Sequence, residues 1–262
     1  ISLTTYNYNE QERLTDTVQT VGNTKKTVTY NYDNNGNIHS KFQGVEKSDD
    51  GEETELEIKL LGLDDDSEIG AVYEYDVFNR LVKTYQGSNV ISNVYNGEGN
   101  RVSKTVNGNT CKYLYEYDKI VLETDGEGNQ TARNVYGTNL ITRESNDKKY
   151  TYHYNGHGDV TALTEKSGNI AAAYEYDPFG NITGETENIE NPYRYSGYEY
   201  DNETELYYLK SRFYDAETAR FIQEDTYRGD ASDPLSLNLY TYCANNPMTY
   251  VDTSGHSYYG TK

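Results

Sequence analysis

One short unit recurs along this chain, and it limits the possible folds more than any other feature. An aromatic-rich stretch ends in Tyr-Asp or Tyr-Asn, followed by two variable residues, a Gly or Asn, a polar residue and usually an aliphatic one. Clear copies are Tyr32-Asp33-Asn34-Asn35-Gly36-Asn37-Ile38, Tyr75-Asp76-Val77-Phe78-Asn79-Arg80-Leu81, Tyr154-Asn155-Gly156-His157-Gly158-Asp159-Val160 and Tyr176-Asp177-Pro178-Phe179-Gly180-Asn181-Ile182. Looser copies begin at Tyr8 and Tyr95, and Thr124-Asp125-Gly126-Glu127-Gly128-Asn129 keeps the turn without the tyrosine.

The unit's chemistry predicts its shape. Asp or Asn after the tyrosine bonds backbone amides two residues on and starts a turn. Gly or Asn at the fourth place after Tyr accepts the positive φ of a tight hairpin. The flanks alternate, as in Val28-Thr29-Tyr30-Asn31-Tyr32, Val72-Tyr73-Glu74-Tyr75 and Tyr150-Thr151-Tyr152-His153-Tyr154. A period of two puts both tyrosines of a pair on one sheet face. Tyr30/Tyr32, Tyr73/Tyr75, Tyr152/Tyr154 and Tyr174/Tyr176 should therefore form ladders. Each unit reads as a β-hairpin, and the chain as an all-β protein with almost no helix, except for short turns such as one around Ala216 to Phe221.

Composition removes some alternatives. A mean hydropathy of -0.94 and 34% hydrophobic residues would suit a disordered chain, but 30 of the 262 residues are tyrosine. Tyrosine buries a ring while its hydroxyl stays wet, which suits half-exposed β-sheet. The formal charge of -20 argues against nucleic acid and anionic lipid as partners. No apolar run is long enough for a membrane span. The opening Ile1-Ser2-Leu3 lies within a strand-like pattern, so the chain reads as a piece of a longer protein.

The region from about 46 to 68 breaks the repeat with Ser48-Asp49-Asp50-Gly51-Glu52-Glu53 and Asp64-Asp65-Asp66, with a candidate strand over Leu56 to Leu61 between them. Its carboxylates lack the ligand spacing of a calcium loop and read as a solvated face. Cys111 and Cys243 read as two thiols rather than a disulfide, although sequence leaves pairing open. His153 and His157 are four apart, but they straddle a strand and its turn and make a poor zinc pair. His39 and His256 are isolated, and no phosphate loop or nucleophile elbow is present. No cofactor is expected. The tyrosine rows could stack on sugars, but their periodicity speaks first for packing.

The C-terminal stretch carries a more specific signal. It contains Pro192-Tyr193-Arg194-Tyr195-Ser196-Gly197-Tyr198-Glu199-Tyr200-Asp201, then Glu205-Leu206-Tyr207-Tyr208-Leu209-Lys210-Ser211-Arg212-Phe213-Tyr214-Asp215. Ala219-Arg220-Phe221-Ile222-Gln223-Glu224-Asp225, Asn238-Leu239-Tyr240-Thr241-Tyr242-Cys243-Ala244-Asn245-Asn246-Pro247 and Tyr250-Val251-Asp252-Thr253-Ser254-Gly255 follow. With the repeats, this ordered set resembles the Rhs/YD-repeat family. The resemblance implies a spiral antiparallel sheet forming part of a shell over 1–190, an Rhs-associated core acting as a plug over 191–256, and the start of a variable region at 257–262.

The resemblance also implies a function. Such shells enclose a toxin that follows the core in polymorphic toxins and insecticidal toxin complexes, while teneurins use a similar shell in adhesion. The expected partner is a C-terminal toxin domain of the parent chain, and the expected location is secreted or at a bacterial cell surface. The alternative is a surface adhesion or glycan-binding module without catalysis.

Asp225 and Asp252 fall where related cores place an aspartyl autoprotease cutting just after the segment that ends here at His256. Two carboxyls sharing a site can split their pKa values into one base and one acid. Thr226 and Thr253 replace the usual prolines and His256 the usual leucine, departures that favour an intact or slowly cut chain. Arg194, Arg212 and Arg220 are expected to serve structure, buried among tyrosines and bridging carboxylates.

Overall fold

A computed structural model describes residues 2–21, 24–47, 70–232 and 234–260. The described residues are β-strands and turns, with three short 3-10 turns at Tyr195–Gly197, Pro234–Leu237 and Cys243–Asn245. The chain divides into two compact units, Ile1–Val90 and Ile91–Lys262.

In the first unit, antiparallel strands β1 (Ser2–Tyr8), β2 (Leu14–Val21), β3 (Thr24–Tyr32), β4 (Ile38–Lys47), β5 (Ala71–Tyr75) and β6 (Leu81–Gln86) lie in sequence order. The division falls within β7 (Asn89–Tyr95). In the second unit follow β8 (Arg101–Val106), β9 (Asn109–Glu116), β10 (Lys119–Asp125), β11 (Gln130–Tyr136) and β12 (Leu140–Ser145). The same order continues through β13 (Lys148–Tyr154), β14 (Val160–Glu165), β15 (Ile170–Tyr176) and β16 (Ile182–Glu187). The acidic region falls outside the described residues except for the last residues of β4.

The repeat folds as its chemistry requires. In each copy the side-chain oxygen of Asp or Asn accepts from the amides two and four residues on. Asp177 does so from Phe179 at 2.8 Å and Asn181 at 3.0 Å, and Asn9, Asp33, Asp76, Asn96, Asp125 and Asn155 repeat it. The register slips just before the repeat tyrosine, as between Glu175 and Tyr176, so that Tyr176 pairs with Ile182 across the turn. The fourth place after Tyr is left-handed, at φ +93° for Gly180 and, without a glycine, +59° for Glu12.

The tyrosine pairs share a face. The rings of Tyr152 and Tyr154 lie 6.3 Å apart at 24°, and those of Tyr174 and Tyr176 lie 6.2 Å apart at 28°. In each of the four pairs the first ring is buried and the second half-buried. Tyr150, Tyr152 and Tyr174 pack with Leu140, Val160 and Leu163 in the second unit's core. Each such side chain contributes about 1.5–3 kcal/mol by leaving water.

The hydroxyls differ from the wet ones expected from composition. Tyr32, Tyr75, Tyr115, Tyr154 and Tyr176 donate to the carbonyls of Leu14, Ile38, Arg101, Leu140 and Val160, at 2.7–3.0 Å. Each acceptor is the first residue of the strand after the preceding turn. The ladder register shifts at each of these residues, and a carbonyl inside the protein needs a donor.

From Pro192 the chain leaves this order. β17 (Glu199–Asp201), β18 (Leu206–Tyr208), β19 (Phe213–Asp215) and β20 (Arg220–Phe221) form a separate small sheet, and β21 (Tyr250–Val251) pairs with β22 (Tyr259–Gly260). The segment Ala216 to Phe221 is the turn and second strand of the β19–β20 hairpin, not a helical turn.

Candidate functional site

The C-terminal segment docks on the repeat turns through tyrosine hydroxyls. Tyr195, Tyr214 and Tyr207 donate to the successive carbonyls of Pro178, Phe179 and Gly180, at 2.7, 2.8 and 2.8 Å. Asn181 answers with its amide on the Ala216 carbonyl at 2.9 Å. The fit leaves no room at Gly180, where a Cβ would meet the Tyr195 ring at 2.7 Å.

The turn at Asn155–Asp159 is engaged too. The Ser196 amide donates to Asp159 at 2.9 Å, and the Val160 amide to the Arg194 carbonyl at 3.1 Å. His157 reaches Asp159 Oδ1 through Nδ1 at 2.8 Å and the Pro247 carbonyl through Nε2 at 2.7 Å. The hydrogen bond to Asp159 raises the His157 pKa. His153 goes elsewhere, to Thr164 Oγ1 at 2.9 Å, so the two histidines do not converge. Cys111 and Cys243 are both free thiols, and burial pushes Cys243 up to about 12.

The docked Tyr195, Tyr207 and Tyr214 pack with Tyr198, Phe221 and Tyr242 into one cluster, with Tyr214 and Tyr242 centred 4.3 Å apart. This cluster carries the carboxylate site. Tyr198 accepts the Asp252 amide at 3.0 Å, fixing the backbone that presents that side chain.

Asp225 and Asp252 are both buried, at 8% and 3% exposure, and Arg212 lies between them in electrostatic terms. Arg212 Nη2 pairs with Asp225 Oδ2 at 2.7 Å, Nη1 donates to the Leu239 carbonyl at 3.0 Å, and Nε donates to the Gly255 carbonyl. Its guanidinium stacks 3.7 Å over Phe221. Burial pulls Arg212 down to about 10 against the opposing pull of Asp225 and Asp252, so it stays charged at neutral pH.

The two carboxylates share no hydrogen bond with each other. Asp225 Oδ1 accepts from the Tyr227 amide at 2.9 Å and faces His256 Nδ1 at 3.1 Å. Asp252 Oδ1 accepts from the Ser254 amide and hydroxyl and from the Gly255 amide, at 3.1, 3.2 and 2.8 Å. Burial raises the Asp252 pKa, only partly offset by the Ser254 amide and by Arg212. One carboxyl is thus ion-paired while the other leans toward keeping its proton, an asymmetry suited to acid/base work on a water.

Of the expected structural arginines, Arg194 and Arg212 are buried. Arg220 is half-buried, bonding Asn238 at 3.2 Å and lying over Tyr240, because β20 is the outer strand of its sheet. Arg194 reaches Glu187 at 3.0 Å and Asn202 at 2.9 Å, with Tyr200 under its guanidinium. Sequence reasoning missed Arg101 and Arg143. Arg101, 1% exposed, binds Asp201 at 2.5 and 3.1 Å and Glu199 at 2.9 Å, with Tyr208 against its plane at 4.5 Å. Arg143 pairs with Glu123 through both terminal nitrogens. The signal available for Arg101 was its position, since it stands where other repeats carry an aliphatic residue.

Among the described residues no helix is long and apolar enough to cross a membrane, and no group of three or more His, Cys, Asp or Glu side chains could hold a metal ion. The family model for the teneurin YD-shell matches residues 2–248. The tRNA3(Ser)-specific nuclease WapA of Bacillus spizizenii is 40% identical over 169 residues, 62% of this chain and 7% of that protein. The tRNA nuclease WapA of Bacillus subtilis is 38% identical over the same shares. The chain thus spans a small fraction of the length of these relatives. Crystal structures of TcdB2-TccC3-Cdc42 and TcdB2-TccC3 share its fold, each at a TM-score of 0.57 and 19% identity. They cover 97% and 96% of this chain, and it covers 15% and 16% of theirs.

Proposed function

Because the chain belongs to the teneurin YD-shell family, we propose that it is the closing end of a toxin-enclosing shell that cuts its own chain after His256. In this reading 1–190 is shell wall, 191–256 is a plug, and 257–262 begins the variable region leading into the cargo. The fold shared with TcdB2-TccC3 and the kinship with nucleases named for tRNA cleavage support a toxin as that cargo and a secreted or cell-surface site of action. The observation that carries the reading is Arg212, which pairs with Asp225 and through Nε holds the Gly255 carbonyl one residue before the bond to be cut, while the Gly255 amide donates to the buried Asp252.

The chemistry is hydrolysis of the His256–Ser257 peptide by one water. Asp225, the carboxylate of the ion pair, accepts a proton as the water oxygen bonds to the His256 carbonyl carbon. Asp252, kept toward its protonated form by burial, supplies a proton to the departing Ser257 nitrogen as the C–N bond breaks. The products are a carboxyl at His256 and an amine at Ser257, and proton exchange with water resets the pair. Arg212 and the Ser254 and Gly255 amides hold both side chains in place.

The test extends the chain beyond Lys262 with a reporter domain and follows intact mass over days. A cut after His256 that is lost in both Asp225→Asn and Asp252→Asn is expected. A folded chain that stays whole would leave a plug without the chemistry.

A further inference from the structure

We propose that the His256 side chain is a latch that holds the self-cleavage site idle by occupying the carboxylate oxygen the attacking water needs. This rests on the reading of Asp225 and Asp252 as the reacting pair. Both oxygens of Asp225 are engaged: Oδ2 by Arg212 at 2.7 Å, and Oδ1 by the Tyr227 amide at 2.9 Å and by His256 Nδ1 at 3.1 Å. A carboxylate oxygen offers two lone-pair directions. With both taken on Oδ1, the direction left open on this carboxylate is on Oδ2, beside the Arg212 guanidinium, where the ion pair makes the oxygen a poorer acceptor for a water's proton. Asp252 differs, since its Oδ2 has no hydrogen bond among the described residues while Oδ1 takes three.

The three contacts on Asp225 are not equally permanent. The Tyr227 amide lies only two residues along the same backbone from Asp225, and Arg212 is 5% exposed at its side chain and stacked on Phe221. The His256 side chain is 41% exposed and enters from the solvent side. It can rotate away without opening a cavity or stranding a buried group, because an exposed imidazole finds water in place of the carboxylate. Because it belongs to the residue whose carbonyl is to be attacked, the latch occupies the site only while the segment lies as it does here. A half-exposed contact of this kind shifts an equilibrium by about fivefold at most, which sets the size of the brake.

The experiment uses the reporter-extended chain and compares the parent with His256→Ala and His256→Leu, measuring the cleavage rate by intact mass. Both variants should cut about fivefold faster than the parent. Ala separates the latch from side-chain fit, because it removes the imidazole and offers nothing to a pocket. Equal or slower cutting by His256→Ala, while the parent's cut still depends on Asp225, overturns the latch and leaves the protease reading standing. If none of the three cuts and all unfold at the parent's temperature, the protease reading itself fails and the latch with it.

Discussion

The sheet of β8–β16 and the segment from Pro192 onward use the same residue types in opposite ways. In the sheet, Asp177 closes its turn with amides two and four residues away, and Tyr176 reaches back one repeat to Val160. In the C-terminal segment, strands two or three residues long could not persist on their own ladders, and their partners come from far along the chain. Tyr208 accepts the Arg101 amide at 3.1 Å, and Asp201 holds the same residue's guanidinium. A repeat built from local bonds can lose one and keep its neighbours. A segment built from distant bonds depends on each one.

The largest test of that contrast is Arg101→Ala. It leaves the buried Asp201 and the half-buried Glu199 against the sheet without their main cation and should cost about 3–5 kcal/mol in urea unfolding. A loss under about 1 kcal/mol would mean that the segment does not lean on this pair. The pH dependence has a defined sign. Burial alone would raise Asp201, but Arg101 and Lys104 overcome it and hold it at about 2. Its folded value therefore lies below its unfolded one, so its stabilisation is present above about pH 4 and fades as pH falls toward 2. Glu199, raised by burial despite Arg101, has the opposite sign and acts at higher pH, its cost fading as pH falls to its ordinary range, before the Asp201 limb begins. Acid unfolding of Arg101→Ala should lack the Asp201 limb.

Next in size is Gly180→Ala compared with Gly128→Ala. Both glycines occupy the left-handed place of the repeat, at φ +93° and +95°, but a Cβ at Gly128 meets nothing within 4 Å. Gly128→Ala should cost about 1–2 kcal/mol from backbone strain alone. Gly180→Ala should add the Tyr195 clash, for a total of about 2–4 kcal/mol by thermal unfolding. Equal losses would show that the docked tyrosine yields.

Smaller again is Tyr154→Phe, which keeps the ring and strips the donor from the Leu140 carbonyl; about 0.5–1.5 kcal/mol is expected. Tyr214→Phe, whose hydroxyl bonds the Phe179 carbonyl in the docked segment, should cost at least as much if the contrast holds.

The smallest effect belongs to His157. Its hydrogen bond to Asp159 raises its pKa above the usual histidine range. Its stabilisation is then complete below about pH 6.5 and is lost as pH rises through the folded value. Hydrogen exchange at the backbone near Pro247 should quicken over that rise in the parent but not in His157→Gln. The same profile in both would dissociate the histidine from the docking.

Much of this was legible before any coordinates. The Tyr-Asp turns, the shared face of each tyrosine pair and the all-β character follow from period and turn chemistry within seven residues, and local bonds are written in local sequence. Asp225, Asp252 and Arg212 could be marked from resemblance, but not their division of roles. That Asp225 takes the ion pair while Asp252 is raised by burial depends on which side chains surround each, and these come from positions scattered between 198 and 256.

Other features had no sequence trace at all. Nothing in the repeat signals that Tyr hydroxyls would seek carbonyls one turn back, because donor and acceptor lie on different hairpins. Arg101 reads as an exception in an aliphatic column until Asp201, a hundred residues later, is folded against it. The sequence by itself determined the hairpin and the face of its rings, because those rest on neighbours at fixed separations along the chain. The tertiary structure alone decided which buried charges found partners and which carboxyl burial pushes up, because desolvation depends on what packs around a group, however distant in sequence.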